Sequence, residues 1–113
     1  IQSTSPLVSR QAFWCIVETV RAAGLHAAPY HASVPTFGEW GFVVASREPF
    51  QVPTRFPDTL RFLTPAIAGS LFEFPADMAR VPVEVNHLNN QILVHYHTDG
   101  WNQYARAPSL DAR

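Results

Sequence analysis

Phe37-Gly38-Glu39-Trp40-Gly41 sets a carboxylate beside an indole, with a glycine on either side. An acid next to an aromatic face is a natural receptor for a cationic amine, through charge and cation–π attraction. Glycine there permits positive φ or a close ligand approach. The competing reading is a tight hairpin whose Trp40 packs on the core. Gln2 is polar and ends what reads as a strand. In open α/β sheets that edge is where ligands bind. His95 and His97 form a His-x-His pair, with His87 upstream and Asp99 as the local carboxylate. On a strand the two rings would share one face, a geometry used by zinc and copper sites. The plainer reading is the polar outer face of an exposed hairpin, and no metal is assigned. Cys15, beside Trp14, reads as a small buried hydrophobe rather than a nucleophile. The glycines are too scattered for a phosphate loop.

These groups need elements to position them. Phe13, Ile16, Val17 and Val20 fall at i, i+3, i+4 and i+7, which predicts a helix over about residues 7–23. Ser5 with Pro6, or Ser9, would start it, and Gly24 would stop it. Residues 25–34 read as an edge strand or a strand with a bulge, because Pro29 lacks a ladder donor. Residues 40–46 are continuously apolar and predict a strand covered on both faces. The short loop between these strands makes them antiparallel neighbours. Residues 48–57 hold three prolines and read as a loop. Thr64-Pro65 is an N-cap and N1 pair for a short helix over 66–72, with one further turn at 76–79. From Val83 the pattern alternates, Asn89-Asn90 signals a turn, and 91–97 alternates again. That predicts a β-hairpin or extended arm, with frayed residues after Trp101.

The composition bounds the function classes. The chain has 113 residues, 47% hydrophobic and 15% charged, so it suits one small folded domain rather than a disordered segment. A formal net charge of -1 argues against nucleic-acid binding. All eight basic residues are arginine, which removes a lysine Schiff base. A single cysteine excludes an intrachain disulfide and a cysteine-built zinc site. No stretch approaches the roughly 18 apolar residues that span a bilayer. The opening residues read as the end of a strand running into a helix, so the chain is expected to be a portion of a longer protein.

Four motifs in order carry a resemblance: Ile1-Gln2-Ser3-Thr4-Ser5-Pro6; Ala12-Phe13-Trp14; Pro35-Thr36-Phe37-Gly38-Glu39-Trp40-Gly41-Phe42-Val43-Val44-Ala45-Ser46; and Arg61-Phe62-Leu63-Thr64-Pro65-Ala66-Ile67. Over about residues 1–80 the chain resembles the C-terminal part of a polyamine aminopropyltransferase, the spermidine synthase family. Residues 83–101 resemble the extension of the bacterial branch that often carries N-terminal membrane segments.

The resemblance implies an α/β chain: residues 1–82 as the C-terminal part of a Rossmann-like, methyltransferase-type sheet with an antiparallel final strand pair, and 83–113 as an arm. It implies transfer of an aminopropyl group from decarboxylated S-adenosylmethionine to putrescine, giving spermidine and methylthioadenosine. No cofactor is expected beyond that cosubstrate. The Gly-rich loop, ribose-binding acid and general base would all lie upstream, leaving no catalytic residue here and an isolated chain without activity. Gln2 matches a family glutamine bordering the polyamine site. Phe37 stands where the family usually has a substrate-contacting tyrosine after Pro-Thr, so a hydroxyl is lost. Glu39 falls near a position where many members carry glutamine. Gln2, Phe37, Glu39 and Trp40 are the expected substrate-binding residues. The expected partners are small polyamine and nucleoside substrates and further copies in a homo-oligomer. The expected location is the cytoplasm, including the cytoplasmic side of a membrane-anchored parent. Two alternatives stand beside this: a methyltransferase-like enzyme using S-adenosylmethionine, and a non-catalytic module binding a partner through the arm.

Overall fold

The computed structural model describes residues 1–106, in the order α1 (Arg10–Ala22), β1 (His26–Val34), β2 (Gly38–Ser46), α2 (Pro65–Leu71) and α3 (Ile92–Arg106). β1 and β2 pair antiparallel with Tyr30 opposite Phe42 and His31 opposite Gly41. Residues 1–4 line the other side of β2: the Ile1 amine donates to the Val43 carbonyl at 2.8 Å, and Ser3 N–H to the Gly41 carbonyl at 3.0 Å. The Gln2–Phe42 bridge is antiparallel. β2 therefore runs between two segments that are parallel to each other, and β1 lies at the edge, where Pro29 is tolerated.

Both starts proposed for the first helix are used. Ser5 Oγ accepts from Val8 N–H at 3.1 Å and caps a tight turn. That turn feeds α1, whose N-cap position is Ser9, and the Phe13 N–H closes onto the Ser9 carbonyl at 3.0 Å. Phe13 and Val17 are fully buried, and with Trp14 and Val43 they form the core between α1 and the sheet. Phe74 packs on both Phe13 and Trp14, with ring centroids 5.7 and 5.1 Å away. Residues 76–79 are tied across α1 by side chains reaching their carbonyls: Trp14 Nε1 donates to Met78 at 3.0 Å, and Arg10 Nε to Ala79 at 2.7 Å. The far face of the sheet carries Tyr30 stacked on Phe42 at 5.1 Å, with Phe72 and Phe50 beyond them. Thr64 Oγ1 accepts from Ile67 N–H at 3.2 Å, and Pro65 occupies the first turn of α2, as its sequence predicts.

The arm differs from its sequence reading. Residues 92–106 are a helix, not the second strand of a hairpin, and the segment after Trp101 continues it. The Asn90 carboxamide oxygen accepts from Ile92 N–H at 3.1 Å and from His87 N–H at 2.9 Å, so the expected hairpin turn is a helix start. Leu93, Tyr96 and Gly100 are half-buried at helical spacing, against α1. The backbones approach so closely that a Cβ on Gly100 would lie 2.6 Å from Ser9 Oγ. α1 is buried beyond its predicted stripe: Ala12 and Cys15 lie inside the structure as well. On a helix, residues two apart point nearly oppositely, so His95 and His97 lose the shared face. His97 Nε2 instead accepts from Trp101 Nε1 at 3.0 Å. No cluster of three or more metal-binding side chains occurs among the described residues. No helix among them is long and apolar enough to cross a membrane. The part of the predicted arm beyond residue 106 lies outside the described residues.

Cys15 is fully buried, as its sequence context predicts, and burial pushes its thiol above the ordinary value. The native state thus holds this proton more tightly than the unfolded chain does. Stability contributed by the protonated thiol is present at neutral pH and lost as pH rises above the ordinary thiol value. Labelling by iodoacetamide at neutral pH is expected only at the rate of opening, and fast labelling of the native protein would contradict this burial.

Candidate functional site

Gln2, Phe37 and Trp40 meet around one cavity of about 160 Å³, completed by Val34 and Phe42. Alternation along β2 explains the grouping. Trp40 and Phe42 point to the face away from α1, and the register brings Val34 beside them. Gln2 joins because its bridge to Phe42 places the opening segment against β2. Phe37 comes from the turn, its ring 5.8 Å from that of Trp40. Phe37 is 68% exposed, so it forms the outer lip of the cavity rather than core. The turn has one hydrogen bond, Phe37 N–H to the Val34 carbonyl at 3.0 Å. It holds two residues at positive φ, Gly38 at 79° and Thr36 at 78°.

Glu39 does not join them. It lies on the opposite face of β2, toward α1, and its carboxylate pairs with His31 Nδ1. The register sets Glu39 opposite Ser33 and His31 opposite Gly41, so Glu39 and His31 are diagonal neighbours on that face. His31 Nε2 bonds the Glu73 carbonyl, and its ring packs 4.8 Å from Phe74. Sequence reasoning placed Glu39 with the ligand because it sits beside Trp40, yet adjacent strand residues face opposite ways. It missed His31 because the two are eight residues apart and meet only across the hairpin.

The cavity has a definite chemical character. No charged side chain lines it. It is lined by three aromatic side chains, Phe37, Trp40 and Phe42, and by Gln2; the Trp40 indole N–H is buried and has no acceptor among the described residues. Such a wall attracts a cation through ring faces and an amide oxygen, but it supplies no acid or base. Larger cavities lie elsewhere, one of about 360 Å³ at Arg21, His26 and Phe50 and one of about 230 Å³ lined by Tyr30, Phe56 and Phe72. Neither gathers a residue that the sequence singles out.

Comparison with known proteins finds curated relatives over most of the chain. The chain is 50% identical over 103 residues to the polyamine aminopropyltransferase of Leptospira interrogans, covering 91% of this chain and 21% of that one. It is 44% identical over 108 residues to polyamine aminopropyltransferase 2 of Ralstonia nicotianae, covering 94% and 21%. Over nine-tenths of its length the chain is similar to polyamine aminopropyltransferases. A more distant member, from Mycobacterium tuberculosis, is 34% identical over 105 residues. The chain spans about a fifth of the length of these aminopropyltransferases. No family model matches the chain, and no solved structure matches it significantly.

Proposed function

We propose that this chain forms the acceptor-side wall of an aminopropyltransferase. The supporting observation is that Gln2, Phe37 and Trp40, distant in sequence, converge on one uncharged aromatic cavity in a chain whose relatives bear that name. The order of the opening segment, reversed β2 and edge β1 fits the last strands of a Rossmann-like, methyltransferase-type sheet.

The reaction proposed for the parent protein is a single displacement. A neutral amine of putrescine attacks the carbon next to the sulfonium of decarboxylated S-adenosylmethionine. The new C–N bond forms as the C–S bond breaks, methylthioadenosine leaves with the electron pair, and the attacking nitrogen loses a proton to a base. Two cationic molecules must be brought together, which needs negative charge and exclusion of water. In this reading the aromatic wall shields the acceptor chain and Gln2 orients it by accepting from an N–H. The acids and the base come from outside this chain, since the cavity contains none.

The test is a product assay on the full-length protein. Aminopropyl transfer releases methylthioadenosine, whereas the methyltransferase alternative releases adenosylhomocysteine. Gln2→Ala is expected to lower kcat/KM for the diamine about 10- to 100-fold, the value of one hydrogen bond to a charged partner. The KM for the nucleoside cosubstrate should stay within about twofold. An unchanged diamine kcat/KM removes Gln2 from the site.

A further inference from the structure

The turn that carries Phe37 stores backbone strain. Thr36 is β-branched and sits at φ 78°, in the left-handed region where a branched side chain is a true outlier. Such conformations persist only where the surroundings over-determine them. Few contacts of the turn itself can do so: beyond the ladder pair Val34–Gly38 that closes it, it has a single backbone hydrogen bond, and Phe37 is mostly exposed. The constraint comes from just beyond it. Glu39 follows Gly38 directly, and its carboxylate is held by His31. His31 is in turn fixed on two sides, by the Glu73 carbonyl at Nε2 and by the Phe74 ring. A carbonyl oxygen only accepts, so Nε2 donates to Glu73, and the contact of Nδ1 with the Glu39 carboxylate is made through a second proton held between the two. The side chains of His31 and Glu39 are only 14% and 23% exposed. Phe74 packs onto Phe13 and Trp14, so the chain of contacts runs from the core to the turn.

We propose that the His31–Glu39 pair is a positioning device: it anchors the strained turn to the core and thereby holds Phe37 and Trp40 against Gln2 across the cavity. Neither residue touches the cavity. Both act through β2, whose Glu39 and Trp40 are consecutive and project to opposite faces. Locking one side of the strand end fixes the other. The kinetic part of this inference rests on the acceptor-side reading given above, while the mechanical part does not.

The experiment uses the full-length protein with His31→Gln, Glu39→Gln, and each combined with Thr36→Gly. Two readouts are taken: steady-state kinetics, and hydrogen exchange by mass spectrometry over residues 34–40. Either single variant is expected to raise the acceptor KM about tenfold, with kcat within about threefold, because a displaced wall weakens binding more than chemistry. Exchange over 34–40 should accelerate about tenfold or more as the turn opens. Thr36→Gly relieves the positive-φ strain, so adding it should return both readouts to within about threefold of the parent. Unchanged exchange in both single variants overturns the proposal. So does a raised acceptor KM that Thr36→Gly leaves uncorrected while exchange is normal, since that result makes Glu39 a direct ligand. If the parent protein releases no methylthioadenosine with any diamine, the functional reading fails, and the exchange data still decide whether the pair holds the turn.

Discussion

Gly41→Ala is expected to cost about 3 kcal/mol, the top of the usual range for forcing extra atoms into a packed site. A Cβ on Gly41 would lie 2.6 Å from the Thr4 carbonyl oxygen and 2.7 Å from two atoms of the Phe13 ring. Neither neighbour can retreat cheaply. The Thr4 carbonyl accepts from Gly41 N–H at 2.9 Å and is part of the opening segment's pairing with β2. Phe13 is fully buried at the centre of the core, between Trp14 and Phe74. The methyl group must therefore break the pairing of residues 1–4, push α1 off the sheet, or both. Domains of this size have only about 5–15 kcal/mol of stability, so the loss is expected to lower Tm by roughly 10–15 °C. Thermal unfolding followed by circular dichroism is the check. A drop under about 3 °C would mean that α1 and β2 are not packed this closely. The same substitution should disturb the candidate site, because the opening segment that would shift carries Gln2.

The isolated chain is expected to form no methylthioadenosine from decarboxylated S-adenosylmethionine and putrescine. The cavity is lined by Gln2, Val34 and three aromatic side chains, with no carboxylate to take the proton from the attacking amine. Positioned proton transfer is worth about 10²–10⁴ in rate, and correct mutual placement of the two substrates contributes more. Both would be missing together. The only carboxylate near the cavity in sequence, Glu39, is turned to the other face and occupied by His31. Calorimetric binding of methylthioadenosine to the chain should also be weak. Turnover by the chain above background would place the whole chemistry within it and overturn the acceptor-wall reading.

Local chemistry made much of this molecule legible before its structure. Thr64-Pro65 announces α2 because a capping oxygen and a pre-set φ act within one turn. The stripe of Phe13, Ile16 and Val17 announces α1, and the apolar run at 42–45 announces β2, because each depends on a spacing that one element imposes on itself. A strand–loop–strand order with a loop this short leaves little choice but an antiparallel pair. Gln2, Phe37, Glu39 and Trp40 were singled out together, Trp40 and Glu39 by the acid beside an aromatic, Phe37 by family resemblance and Gln2 by both a strand end and that resemblance; three of the four line one cavity.

Two features depended on residues far apart in the chain, and there the sequence alone was ambiguous or misleading. Residues 91–97 alternate apolar and polar over so few positions that Leu93 and Tyr96 fit a helix as well as a strand. Packing resolves the choice: Gly100 lets α3 approach Ser9 of α1, and the Asn90 side chain satisfies the N–H groups of a helix start. The side of α1 that carries Cys15 and Thr19 is met by the segment leading into α3, where Asn86 N–H donates to Thr19 Oγ1 at 3.0 Å. Likewise, the sequence by itself determined that Glu39 adjoins Trp40, but not where its carboxylate goes. That was decided by the hairpin register, which makes His31 the diagonal neighbour of Glu39 on the face toward α1. The physical reason is common to both cases. Caps, turns and periodicity are satisfied within a few residues, whereas the partner of a half-buried charge and the second face of a helix are supplied by segments that only folding brings together.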